Sequence, residues 1–168
     1  MPENPDARPP RVVLMCGVSG SGKTHYARQL EAAGFMRLSP DSLLWERIGP
    51  SLPTLPPERQ RKLFAEAATE IADSLKRAID EKRDVVVDST MCRRAKRDEM
   101  RHLCLSKGIT PQLIYMDAPL QLLKQRMATR CGLGPDDQTV DDRLLETYFS
   151  NFERPQPDED FTTIVQTL

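Results

Sequence analysis

Arg11-Val-Val-Leu-Met-Cys-Gly17-Val-Ser-Gly-Ser-Gly-Lys23-Thr24 is the stretch that settles the architecture. Its first six residues form an apolar, β-branched run, which reads as a buried strand. The next eight (Gly17, Val18, Ser19, Gly20, Ser21, Gly22, Lys23 and Thr24) fit the pattern G-x-x-x-x-G-K-[ST] in full. From Lys23 the chain reads as a helix closed by Gly34. Strand, glycine-rich loop and helix, in that order, make a cradle for phosphate. Glycines let the backbone wrap so that its N–H groups aim at phosphate oxygens, and the helix start adds the positive end of its dipole. Lys23 is expected to reach the β- and γ-phosphates, and Thr24 to offer its hydroxyl to Mg²⁺. Chance produces this pattern in roughly one random chain of this length in a few hundred. The strand before it and the helix after it make chance rarer still.

Working outward, Phe35–Ser39 reads as a second, weaker strand. Gly49–Pro57, GPSLPTLPP, is too rich in proline for regular structure and is expected to be an exposed loop. Between Glu58 and about Lys82, Leu63, Ala67, Ile71, Leu75 and Ile79 repeat at helical spacing, which predicts a helix with one apolar stripe. Val85–Ser89 and Pro111–Asp117 read as buried strands. Arg93–Lys107 reads as a basic helix stopped by Gly108. Pro119 to about Arg130 and Val140–Phe152 read as helices around a loop at Cys131–Gln138, and Phe161–Leu168 as a last strand. Alternation of strands and helices predicts an α/β fold, a five-stranded parallel sheet with helices on both faces and a small lid. Met1–Pro10 carries four prolines and no apolar period, and reads as a flexible tail ahead of one domain at residues 11–168.

Composition excludes several classes. The chain has 168 residues, 39% of them hydrophobic, which suits one domain with one core. A net charge of −1 argues against a surface built to coat nucleic acid. No apolar run approaches the ~20 residues of a membrane span, and no export signal opens the chain. A cytoplasmic protein with reduced thiols is the expectation. Cys16, Cys92, Cys104 and Cys131 form no CxxC pair, and with two histidines a structural zinc site has little support.

What is done with the nucleotide is read from the residues that face it. A GTP switch carries an Asn-Lys-x-Asp base reader, and no such tetrad occurs. A hydrolytic motor often places a second acid after the aspartate of its acidic strand; here Asp88 is followed by Ser89 and Thr90. A kinase needs a base for the acceptor hydroxyl at the carboxyl end of the sheet. Asp41, just past the second strand in Ser39-Pro40-Asp41, meets that need, although capping a helix beginning at Ser42 accounts for it equally well. Arg126 and Arg130 lie one helical turn apart beside the Cys131–Gly134 loop. They are either a lid that closes on the phosphates or a solvated face. Asp88 is placed to help Thr24 hold Mg²⁺.

The chain resembles the small P-loop kinases of the polynucleotide-kinase and zeta-toxin group, proteins of the AAA-type ATP-binding kind. The likeness rests on GVSGSGKT, Ser39-x-Asp41, VVVDST followed by the basic helix, YMDAPLQLLKQRMATR and FERPQPDEDF, in that order. It implies a kinase using ATP and Mg²⁺, in which Asp41 activates the acceptor hydroxyl. By the same resemblance Arg126 and Arg130 line the donor phosphates, and Asp88 is the strand-end acid. Such kinases usually carry an arginine three residues after that aspartate to hold a substrate phosphate; this chain has Leu44 there. The acceptor-side residues read as Ser39, Asp41, Arg93 and Arg94. The helix of Arg93, Arg94, Lys96, Arg97 and Arg101 is either a polyanion site or a solvated face balanced by Asp98 and Glu99. Leu43, Leu44 and Trp45 suggest an apolar acceptor wall. The expectation leans to a small-molecule acceptor. A 5′-hydroxyl polynucleotide acceptor is the alternative, and a nucleotide-gated ATPase or switch without acceptor a second one.

Overall fold

The computed structural model describes residues 8–168. The flexible-tail expectation for residues 1–7 therefore lies outside the described residues. At Arg8 the chain is already tied down, its guanidinium forming two hydrogen bonds to Asp84 at 2.9 and 2.7 Å.

Five parallel strands form one sheet in the order β2-β3-β1-β4-β5. They are β1 (Val12–Cys16), β2 (Met36–Leu38), β3 (Val85–Val87), β4 (Gln112–Asp117) and β5 (Phe161–Val165). β1 is central, pairing Val12 with Val85 on one side and Val13 with Gln112 on the other. Its five residues are all buried because both faces of the sheet are covered, which is why the run shows no polar alternation. Val12, Leu14 and Cys16 point into one core with residues of the helices α3 (Pro57–Asp80), α4 (Arg94–Ser106), α5 (Leu120–Ala128) and α6 (Asp142–Asn151). Val13 and Met15 point to the other face, covered by α1 (Lys23–Ala32).

The helix over Pro57–Asp80 buries Ala67, Ile71, Leu75, Ala78 and Ile79, the expected stripe. Two readings need correction. Gly49–Thr54 is a 3₁₀ helix rather than an irregular exposed loop, and Leu52 within it is buried. Proline at its start donates no bond the turn needs, and Leu52 repays the ordering by packing on Leu44 and Ala67. Helix α2 spans Pro40–Ile48, so it begins before Ser42, with proline in its first turn. No helix among the described residues is long and apolar enough to cross a membrane.

Candidate active site

All five strands run the same way, so their carboxyl ends share one edge, where ligands bind in open parallel sheets. The phosphate loop follows β1, Asp41 follows β2, Asp88 follows β3, Arg126 lies on the helix after β4, and Gln166 follows β5. All of them line a cleft of about 1210 Å³. That exceeds the ~300–1,000 Å³ usual for one small ligand. The cleft has room for a nucleotide and a second molecule beside it.

The loop's shape is held by close packing and by pinned carbonyls. A Cβ on Gly17 would sit 2.6 Å from Ser21 Oγ and 2.9 Å from the Met116 carbonyl, so only glycine fits there. Arg126 Nη1 donates to the Gly20 carbonyl at 3.0 Å, and the Gln166 amide donates to the Ser21 carbonyl. Val18 O accepts from Ser21 N and from Lys23 Nζ, at 3.0 and 3.1 Å. Gly17 N donates to the Thr90 carbonyl and Ser21 N to that of Val18, so it is the N–H groups between them and those of the first turn of α1 that are left for a ligand's oxygens. Ser21 Oγ is buried, and among the described residues it has no hydrogen-bond partner.

Lys23 is buried at 8% exposure. Burial pushes its ammonium pKa down, and the Asp88 and Asp41 charges oppose that shift. Asp41 answers it across the cleft. Burial pushes its carboxyl up, the Lys23 charge pulls it back, and Asp88 and Asp136 push it up again. Its side chain stays accessible, but from the cleft it lines. The capping alternative for Asp41 falls here, because Ser39 caps α2, its Oγ accepting from Ser42 N at 3.2 Å. Asp41 sits inside the first turn, and among the described residues its carboxylate has no hydrogen-bond or ion-pair partner. Ser39, expected on the acceptor side, is buried and engaged as that cap.

Thr24 Oγ1 donates to Asp88 Oδ2 at 2.9 Å. A hydroxyl and a carboxylate brought together beside a phosphate loop are the hard oxygen donors Mg²⁺ takes, with substrate phosphates supplying more. Among the described residues Asp88 Oδ1 has no hydrogen-bond partner and no cluster of three metal-ligating side chains exists, so the residues fit an ion shared with phosphate and not a protein cage.

Sequence reasoning missed a buried network behind this pair. Arg37, on the edge strand β2, has a side chain only 4% exposed and donates to Asp88 Oδ2 from Nε and Nη2 at 3.0 and 2.8 Å. Nη2 also donates to Asp136 Oδ1 at 2.9 Å, and Arg28 of α1 donates to Asp136 Oδ2. Burial raises the Asp136 pKa, but the two arginines outweigh it and hold the carboxyl below its ordinary value. Asp136 belongs to the segment between α5 and α6, so Arg37 ties that segment to the acid behind Thr24. Removing one member of a buried pair typically costs about 3–5 kcal/mol. Arg37→Met is accordingly expected to lower Tm by roughly 6–20 °C in thermal unfolding. An unchanged Tm would show the network to be idle.

Arg130 Nη1 donates to the Gln138 carbonyl at 3.0 Å, and the side chain lines the cleft with Arg126. The solvated-face alternative does not describe either arginine. The basic helix divides. Arg97 is buried in an ion pair with Glu159 at 2.6 Å. Arg94 pairs with Asp158 and Asp98, and Arg101 with Asp98. Of this stretch only Arg93 lines the cleft, and among the described residues it has no acidic partner within salt-bridge distance. Leu43, Leu44 and Trp45 line none of it; Leu44 is 1% exposed inside the core.

Solved structures that this chain is similar to share its fold. A sugar kinase from Janibacter sp. HTCC2649 aligns with a TM-score of 0.67 and 22% identity over 94% of this chain and 86% of that one. Kti12 from Chaetomium thermophilum, solved with ADP-AlF3, aligns at 0.69 and 18% identity over 92% and 88%. A chain of the Pnkp1/Rnl/Hen1 RNA repair complex aligns at 0.71 and 19% identity, over 90% of this chain but 47% of that one. No curated protein matches the sequence. A family of AAA domains matches residues 12–155, from the first residue of β1 to beyond α6. The phosphate loop, Asp41, Asp88, Arg93, Arg126 and Arg130 all fall within that span, and the chain belongs to this AAA domain family.

Proposed function

We propose that the protein is an ATP-dependent phosphotransferase that moves the γ-phosphoryl group to a hydroxyl acceptor. One observation carries the reading: a carboxylate freed from helix capping, Asp41, faces the phosphate-loop lysine across a cleft large enough for two substrates. In this reading Asp41 accepts the acceptor's hydroxyl proton as the oxygen bonds to the γ-phosphorus. The bond to the bridging oxygen breaks and ADP leaves. Lys23 exchanges the Val18 carbonyl for phosphate oxygens. Arg126 and Arg130 neutralise charge that grows on the moving group, and Arg93 contacts the acceptor. Thr24 and Asp88 would hold Mg²⁺, which would supply charge neutralisation at the phosphates when bound. The testing experiment is transfer from γ-labelled ATP across 5′-hydroxyl oligonucleotides, nucleosides, sugars and other small alcohols. Labelled product that disappears with Asp41→Ala supports the reading. No product with any acceptor, while ATP controls binding of a partner protein, supports the switch instead.

Arg126→Ala and Arg130→Ala are each expected to lower kcat by roughly tenfold to a thousandfold and to raise the ATP Kd by less, because their contacts strengthen in the transition state. Steady-state kinetics beside equilibrium ATP binding reads the split. Equal losses in both would make the arginines ground-state binders only.

The acceptor reading leans to a small molecule, because Arg94, Arg97 and Arg101 are spent on ion pairs and only Arg93 of that helix start reaches the cleft. A polynucleotide acceptor is the alternative. It predicts labelling of a 5′-hydroxyl oligonucleotide that falls steeply with salt, and labelling that survives moderate salt argues against phosphate-held binding.

A further inference from the structure

The acceptor half of the cleft can be separated from the donor half by topology. Residues that follow β4 and β5, Arg126 and Gln166, hold the phosphate loop from one side. The β2–β3 side holds Asp41. Facing the cleft from that side and from α6 are three large hydrophobic side chains that remain exposed: Phe64 at 40%, Leu144 at 41% and Tyr148 at 44%. Phe64 comes from α3; Leu144 and Tyr148 lie one turn apart on α6. Exposed apolar groups scattered singly need no explanation, but three lining one cleft offer apolar surface to whatever enters it.

The wall is anchored. At the end of α6 Phe152 stacks on Tyr115 of β4 with ring centroids 5.7 Å apart, and Glu153 N donates to the Cys92 carbonyl at 2.9 Å. That contact brings the end of α6 against the segment following β3. Tyr148 is also close to the proposed base. Partial burial pushes its phenol pKa up first, and the nearby carboxylates of Asp141 and Asp41 add to the shift.

We infer that Phe64, Leu144 and Tyr148 form the acceptor subsite, and that the acceptor is a small hydroxyl compound bearing an aryl or comparably bulky alkyl group, not an all-polar polyol. The inference rests on the kinase reading for the word acceptor, but the subsite is defined without it. A polyol would leave the three side chains against hydroxyl groups that prefer water. An aryl or alkyl body removes apolar surface from water on both partners while its hydroxyl turns to Asp41.

Cys92 lines this part of the cleft as an exposed free thiol, whereas Cys16 and Cys104 are buried, with burial pushing their thiols up to about 12 and about 11. In a Cys131→Ser protein, alkylation by iodoacetamide therefore reports on Cys92. The probes are phenyl β-glucoside and methyl β-glucoside, which present the same sugar hydroxyls and differ only in the aryl group. With a non-hydrolysable ATP analogue and Mg²⁺ present, phenyl β-glucoside is expected to protect Cys92 at a concentration at least tenfold lower than methyl β-glucoside. Phe64→Ala and Tyr148→Ala are each expected to abolish that difference while leaving ATP binding unchanged, which also shows that the variants fold. Equal protection by the two glucosides, or a preference that survives both substitutions, overturns the inference. The two readings fail separately. Aryl-selective protection without transfer to any hydroxyl compound would retain the subsite and remove the kinase. Transfer to a polyol with a KM untouched by Phe64→Ala and Tyr148→Ala would retain the kinase and remove the subsite.

Discussion

Lys23→Ala is expected to reduce phosphoryl transfer by roughly a hundredfold to a thousandfold or more, and to weaken ATP binding at the same time. The ammonium is buried and its hydrogen-bond partner in the loop is the Val18 carbonyl. Desolvation makes a point charge there strong against phosphate, since little water competes with it. The loss should appear in both terms because the β- and γ-phosphates are charged before transfer as well as during it. Asp88 and Asp41 would also lose the cation that faces them. Calorimetric ATP titration and single-turnover transfer together test this; full transfer by the alanine variant would remove Lys23 from the phosphate site.

Asp41→Asn separates the acceptor step from the donor site. It keeps the shape and removes the base, so a loss of roughly 10²–10⁴ in kcat is expected with ATP affinity nearly unchanged. The pH profile gives an independent check. Burial raises the Asp41 carboxyl, Lys23 lowers it, and Asp88 and Asp136 raise it again, for a net shift upward. A base must be unprotonated, so kcat/KM should rise with pH through a limb lying above the ordinary carboxylate range. That limb should be missing in Asp41→Asn. In Lys23→Ala the residual activity should show it moved further up, because the chief charge opposing the shift is gone. A limb at the ordinary carboxylate value in the wild type, or one that persists in Asp41→Asn, would assign the proton to another group.

The candidates for the donor half are legible in the sequence residue by residue. Gly17 to Thr24 is a contiguous string whose function follows from local backbone shape, and Arg126 and Arg130 are one turn apart on a single helix. Asp41 was legible as a candidate only, since an aspartate near a helix start serves as a cap as readily as a base. The choice turned on Ser39, whose hydroxyl takes the cap two residues earlier. The acceptor wall was misread for a similar reason. Leu43-Leu44-Trp45 is an apolar triplet beside Asp41, but α2 turns Leu44 onto Leu52 and Ala67, and the exposed apolar surface comes from Phe64, Leu144 and Tyr148 on two other helices.

Arg37, Asp136 and Gln166 carried no signal that sequence reasoning could use. Arg37 sits in a three-residue edge strand where a charged residue is ordinary, and Asp136 in an acidic loop that reads as solvated. Arg37 and Asp136 reach the site only because β2 lies beside β3, which sets Arg37 against Asp88, and because the segment after α5 returns to the same place. Gln166 reaches the phosphate loop because β5 is paired with β4 and the chain leaves it at the same edge.

Sequence patterns alone therefore establish the parallel α/β class, the phosphate loop, the stripe that buries α3 and the candidates Lys23, Asp41, Asp88, Arg126 and Arg130. Each rests on short-range periodicity or on the conformational needs of a contiguous loop, which a linear chain states directly. The strand order, the Arg37 bridge, the consumption of Arg94, Arg97 and Arg101 in ion pairs, and the three residues of the apolar wall came only with the folded chain. They depend on which distant segments meet, as Arg97 does with Glu159 across 62 positions. Such meetings are decided by packing and charge pairing summed over the whole core, not by any local preference of the residues that take part.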